Sequence, residues 1–243
     1  PALGAARKSA RQSANAAQAR DMYAGMVSYA TENQNRVGVG FFPGVDGDGT
    51  WDAAETAGTD AYGGTVAEES NAYAIMLNEN LVTPESILNP ADTAADEAAL
   101  NNTVANDNYS YAFIDIGWET TATPPAAGSA LGGEADLVDA WTNSVNTNSV
   151  VLSDMNTGTD ADGSASSVWT EEDSGNWRGV VVRGDQSTST GSSQFIDRTQ
   201  YGDAPVYEGP GTPPGGDNLF VDEGGQAANA NMTTNGGTLL DQR

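Results

Sequence analysis

The string DGDGTWDAAE at positions 46–55 spaces its oxygen-bearing residues as a calcium-binding loop spaces its ligands. An EF-hand loop draws oxygens from positions 1, 3, 5, 7, 9 and 12 and keeps glycine at 6 for its sharp turn. With Asp46 taken as position 3, Asp48 falls at 5, Gly49 at 6, the Thr50 carbonyl at 7, Asp52 at 9 and Glu55 at 12. Only position 1 fails, because it is Gly44. Hard carboxylate oxygens at this spacing need a cation to hold them together, and Ca²⁺ accepts irregular oxygen cages where Mg²⁺ does not. The candidate metal set is therefore Asp46, Asp48, Thr50, Asp52 and Glu55, holding Ca²⁺ in an isolated loop, since no flanking helices are evident. The competing reading is a run of ordinary Asp-Gly turns.

Other residues carry weaker chemistry. Asp154, Asp160, Asp162 and Gly163, followed by Glu171, Glu172 and Asp173, form a second acidic cluster. It lacks a regular ligand spacing, because with Asp160 at position 3 and Gly163 at position 6 position 12 falls on Trp169, and a solvated turn is expected instead. Two carboxylates at the right separation can hydrolyse a glycosidic bond, but among 34 acids no spacing singles out a pair. The chain has no histidine and no cysteine. That removes the Ser-His-Asp triad, His-ligated zinc or iron, and all thiol and disulfide chemistry. With no nucleophile and base paired, the expectation is a protein that is not an enzyme and has no catalytic residue. The tripeptide Arg183, Gly184 and Asp185 matches a cell-adhesion motif that recurs by chance and is discounted. Trp51, Trp118, Trp141, Trp169 and Trp177 are expected to pack in or beside a core.

Charge narrows the partners. Across 243 residues, 34 acids face 9 bases, for a net charge of −25. The first 20 residues hold four of those bases and no acid, which leaves five bases against 34 acids afterwards, a net of −29. A body so acidic repels nucleic-acid phosphates and anionic lipid, so a nucleic-acid role is excluded. The near absence of lysine among so many carboxylates resembles proteins adapted to salty water, where screening tolerates self-repulsion.

The elements that must position these residues begin with residues 1–33, read as one long stem helix. No glycine interrupts it between Gly4 and Gly25, and alanine recurs with Arg, Gln, Met and Leu, all good helix formers. Ala2, Leu3, Ala6, Ala10, Ala14 and Ala17 make a slender stripe below, with Arg7, Lys8, Arg11 and Arg20 around it. Above, Ala16, Ala19, Tyr23, Met26 and Ala30 step by three and four and can seat a globular head. A second helix is predicted over residues 66–80, with Glu68 and Glu69 in its first turn, then a short turn over 84–88. Strands are predicted over 109–116, 150–152, 179–182 and 219–221, and a helical turn over 137–141. The expected organisation is a stem helix, 1–33, beneath an acidic head domain, 34–243, in an α+β class: a long N-terminal helix packed on a small antiparallel sheet with long loops.

The segment LGAARKSAR at 3–11, with the helix end YATEN at 29–33, resembles the region just after the hydrophobic span in type IV pilin-like proteins of the type II secretion pseudopilin kind. The similarity is greatest to the set of such proteins found in planctomycetes. NLVTPESILNPAD at 80–92 resembles that family's helix end and following Pro-x-Asp element, and YSYA at 109–112 its first strand. VVLSD at 150–154, NWRGVVV at 176–182 and GGDNLFVD at 215–222 resemble its later strands. The chain departs from the family where a histidine should stand ten residues before an Asp-Gly pair: here Asp222 precedes Glu223, and the tenth position back is Thr212.

The resemblance implies a structural role. Such subunits enter the inner membrane by an apolar helix, are extracted, and stack so that helices form a filament core with heads outside. It also implies a cleaved leader and roughly 20 apolar residues ahead of Pro1, the length that crosses a bilayer, so the chain as it stands is expected to lack its hydrophobic N-terminal segment. The partners it implies are further copies through the N-terminal helix and other pilin-like subunits, with membrane contact only through that missing segment. The implied location is the cell surface or outside the cell. Pseudopilins use calcium too, at a different place in the fold. A surface binding or adhesion module for carbohydrate or polymer, built on the same fold, is the alternative expectation. On charge alone, a basic stem beneath acidic heads either favours stacking or merely flanks a membrane span.

Overall fold

The computed structural model describes residues 2–37, 40, 42–43, 68–93, 95, 108–113, 142–157, 165–170, 177–196 and 217–220. Helix α1, Ala2–Val37, is 36 residues long, which at 1.5 Å per residue makes a rod of roughly 54 Å. It runs past the expected end at residue 33 because nothing from Gln34 to Val37 breaks a helix, and the next glycine in the sequence is Gly38. Residues 3–11 of the helix are exposed, and burial begins at Asn15. From there Ala19, Met22, Tyr23, Met26 and Ala30 are buried at helical spacing. Burying each of the larger side chains stabilises the docked helix by about 1.5–3 kcal/mol.

Helix α2, Glu68–Asn78, ends two residues before the predicted end at residue 80. It contributes Ala72, Tyr73, Met76 and Leu77 to the same core. Tyr73 stacks on Tyr109 with ring centroids 4.4 Å apart and donates its hydroxyl to the Tyr111 carbonyl at 2.7 Å. A one-turn 3₁₀ helix, Pro84–Ile87, follows. Its start is closed reciprocally: the Thr83 hydroxyl accepts from the Ser86 amide, and the Ser86 hydroxyl accepts from the Thr83 amide. Proline at its first position lacks the amide that would otherwise go unpaired.

The sheet has four antiparallel strands in the order β1-β2-β3-β4: β1 is Tyr111–Phe113, β2 Val150–Asp154, β3 Gly179–Arg183 and β4 Thr188–Gly191. A separate pair joins β5, Phe195–Ile196, to β6, Asp217–Asn218. The two central strands are buried along nearly their whole length, because α1 lies against β2 and β3. Buried strands read as continuous apolar runs rather than alternating ones, and VVLSD and GVVVR do so. Of the predicted strands, 109–116, 150–152 and 179–182 coincide with β1, β2 and β3, while the last one falls earlier. Leu219 and Phe220 are buried turn residues beyond β6, with Phe220 edge-on to Trp177 at 5.5 Å. Strands β4 and β5 were not predicted; β4 is the polar, partly exposed run TSTG, which carries no apolar signal.

Two close approaches set how α1 sits. Gly25 faces Leu81, where an added Cβ would stand 3.3 Å from the carbonyl oxygen. Two residues earlier, the Tyr23 hydroxyl donates to the Gly184 carbonyl at 2.9 Å, in the turn joining β3 to β4. The fold is thus α+β, a long N-terminal helix packed on a small antiparallel sheet, and in that coarse sense it is broadly pilin-like.

Candidate functional site

The register of β2 against β3 slips between Val150 and Leu152, leaving Val151 as an extra residue. Such a bulge re-aims the side chains that follow it. Beyond it Ser153 pairs with Val181, and Asp154 lies opposite Tyr111 of β1. The Asp154 side chain reaches α1 at Asn15, and both residues are buried.

A carboxylate taken out of water is costly unless donors surround it, and Asp154 is surrounded. Asn15 Nδ2 donates to both carboxylate oxygens, at 3.0 Å and 2.9 Å. Asn89 Nδ2 donates to Oδ1 at 2.8 Å, and the Val180 amide donates to Oδ2 at 2.7 Å. The amide orientation of Asn15 follows: its nitrogen faces the carboxylate, so its oxygen accepts from the Tyr111 hydroxyl at 2.7 Å. Asn89 is fixed in the same way, its Oδ1 accepting from the Ala91 amide at 2.9 Å. Gly179 makes room for the cluster, since an added Cβ would meet the Asp154 Cβ at 2.8 Å and the Trp177 ring.

Burial pushes the Asp154 carboxyl up from 3.8 to about 6, and its donors from Val180, Asn15 and Asn89 hold the rise back. The Trp169 indole N–H also acts on the carboxyl in that direction, without reaching a hydrogen bond of normal geometry. Burial and the Asp154 charge together push the Tyr111 hydroxyl well above 10, so it stays a donor. One side chain therefore joins α1, the segment after the 3₁₀ helix and β3 directly, across sequence gaps of 139 and 65 residues, and β1 through Asn15. The expectation that Asp154 lies in a solvated acidic turn is corrected: the last residue of a bulged central strand has no water to face.

Directly beside this node lies an open groove of about 390 Å³. On the helix side it is lined by Gly4, Arg7, Lys8 and Arg11. Arg7, Arg11 and Asn15 recur at intervals of four on one helix face, so the stripe that grips Asp154 continues outward as two guanidinium groups. On the other side stand Ala91, next to Asn89, and Val168 with Trp169. That second wall is held in place: Ser167 Oγ donates to the Arg178 carbonyl and accepts from the Trp169 amide at 3.0 Å. The Thr157 amide donates to the Ser166 carbonyl at 2.8 Å, anchoring the same loop to the end of β2. Trp169 is 5% exposed, so it offers the groove little free ring surface.

The calcium candidates Asp46, Asp48, Thr50, Asp52 and Glu55 lie outside the described residues, as do Asp160, Asp162, Gly163 and Glu171 to Asp173 of the second cluster and the predicted turn at 137–141. Among the described residues, no group of three or more acidic side chains is placed to hold a metal. Also among them, no helix is long and apolar enough to cross a membrane. Trp169 and Trp177 are buried as expected. Sequence reasoning missed Asn15, although a signal was there: positions 15, 19, 22, 26 and 30 form one buried stripe, and a lone Asn in it calls for a buried polar partner. Comparison with protein-family models, with curated proteins and with solved structures finds nothing that matches this chain.

Proposed function

We propose that this chain is a structural, non-enzymatic subunit of a pilus- or pseudopilus-like filament, exported to the cell surface and assembled through α1. The observation that carries the reading is the division of α1 itself. Its upper part is locked to the sheet by Asn15, Tyr23 and the apolar stripe, while residues 3–11 stay exposed. A helix clamped at one end and bare at the other is built to present its free turns to something else. The large apolar side chains exposed among the described residues are Leu3 and Val168, both at the stem end and neither aromatic. That placement favours contacts through the stem over a sugar-stacking platform on the head. Asp154, the carboxyl most altered by its surroundings, is sealed from solvent and saturated with donors, which suits holding a helix rather than meeting a substrate.

The proposal includes Ca²⁺ held by Asp46, Asp48, the Thr50 carbonyl, Asp52 and Glu55, supported by ligand spacing alone. Negative-stain microscopy of filaments sheared from the source cells, with mass spectrometry of the subunit N-terminus, tests the main reading. Filaments containing this chain, with an apolar helix ahead of Pro1, are expected. A soluble monomer whose mature N-terminus is Pro1 would overturn it and favour a surface binding module.

A further inference from the structure

We infer that the groove between the first turns of α1 and the loop at 165–170 is a docking site for an acidic segment on the head of a second copy of this chain. The inference rests on the filament reading for the identity of the occupant, and on three observations for the site. First, the groove is basic on one side, with Arg7, Lys8 and Arg11 contributing three positive charges in little more than one helical turn. No acid lies within the first 20 residues, and among the described residues neither Arg7 nor Arg11 makes an ion pair. Like charges four apart on a helix repel, so Arg7 and Arg11 together are disfavoured until an anion joins them.

Second, the opposite wall is rigid and apolar. Val168 and Trp169 are pinned through Ser167 to the Arg178 carbonyl, and Ala91 is pinned through Asn89 to Asp154. A groove whose walls are already ordered loses little entropy on binding. The 5% exposed Trp169 leaves a sugar ring little face to stack upon, while exposed Val168 gives an incoming chain an apolar rim. Third, the charge of the rest of the molecule is complementary. Everything after residue 20 carries a net of −29, so the surface most abundant around a stacked subunit is the one this groove fits. Guanidinium pairs bind carboxylates bidentately, and two of them one turn apart, with a lysine between, match carboxylates spaced along an acidic strand or loop. Each docked segment would also remove part of the repulsion between neighbouring heads.

Lys8 is the only lysine in the chain, which makes the test readable. Filaments and concentrated purified chain, each prepared as a mixture of nitrogen-14 and nitrogen-15 copies, are treated with a carbodiimide that joins an amine to a carboxylate at zero length. Mixed-isotope links from Lys8 to head Asp or Glu residues are expected, and at least fivefold fewer of them in the double variant Arg7→Glu, Arg11→Glu. Both substituted residues are exposed, and an unchanged circular dichroism spectrum would show that the fold survives. Links found only within one copy, no links, or mixed links indifferent to the double variant would each overturn the proposal. Binding of a synthetic polyglutamate without interchain links would assign the groove to a foreign acidic chain and overturn it equally. Filaments that contain the chain but give none of these links would refute the groove while leaving the filament reading in place; absence of filaments would refute that reading itself.

Discussion

A lone carboxylate beneath a helix survives only if every donor around it is aimed inward, and at Asp154 the donors come from three separate segments. Replacing Asn15 by Ala leaves the Tyr111 hydroxyl without its acceptor and the carboxylate short of a donor. Denaturant unfolding should show a loss of about 2–4 kcal/mol, at the upper end for a polar network and well above that of an exposed Asn. The pH dependence has a definite sign. Because burial raises this acid from 3.8 to about 6, the folded state binds its proton more tightly than the unfolded chain does. Its contribution to stability is full below about pH 4 and is lost as pH rises through 6. Measured against Asp154→Asn, which does not titrate, the wild-type protein should lose on the order of 3 kcal/mol of relative stability between pH 4 and 7. A relative stability that climbs across that window would show the donors outweighing burial.

At the scale of elements, α1 is held by a few contacts of known geometry, and each predicts its own cost. Tyr23→Phe removes the bond to the Gly184 carbonyl and should cost about 1 kcal/mol in urea unfolding, with the ring still packed against Phe42 at 5.6 Å. Gly179→Ala forces a Cβ against Asp154 and Trp177 and should cost about 1–3 kcal/mol, a loss that a glycine in open space such as Gly4 would not show. The elements also show what the sequence made legible. Helix α1 and strands β1 to β3 announced themselves because uninterrupted helix formers and continuous apolar runs are local signals. Strand β4 and the true place of β6 did not, since TSTG and DN are set by the partners they pair with and not by their own side chains. The Asp154 node was illegible for a sharper reason. Its parts are separated by up to 139 residues, and the bulge at Val151 that aims Asp154 inward is a property of the pairing, invisible in a single strand.

Across the whole molecule, charge is the organising quantity. A net of −25 in one small body is self-repulsive, and screening should relieve it, so thermal unfolding is expected to move upward between 0.1 M and 2 M NaCl. A transition temperature that falls with salt would point instead to attractive ion pairs as the dominant surface term. The calcium proposal is tested separately by terbium luminescence excited through Trp51, which lies inside the ligand string. Calcium should quench the signal competitively, and Asp48→Ala with Glu55→Gln should abolish it, while the unfolding of the Asp154 node stays unchanged. On the filament proposal, the basic stem and the acidic head come together where copies stack. A helical reconstruction of the filaments therefore tests the central claim most directly. The account predicts α1 of every subunit running along the filament core, with the acidic heads outside and the Arg7 and Arg11 face against a neighbour. Subunits joined head to head, with the first turns of α1 pointing into solvent, would contradict it.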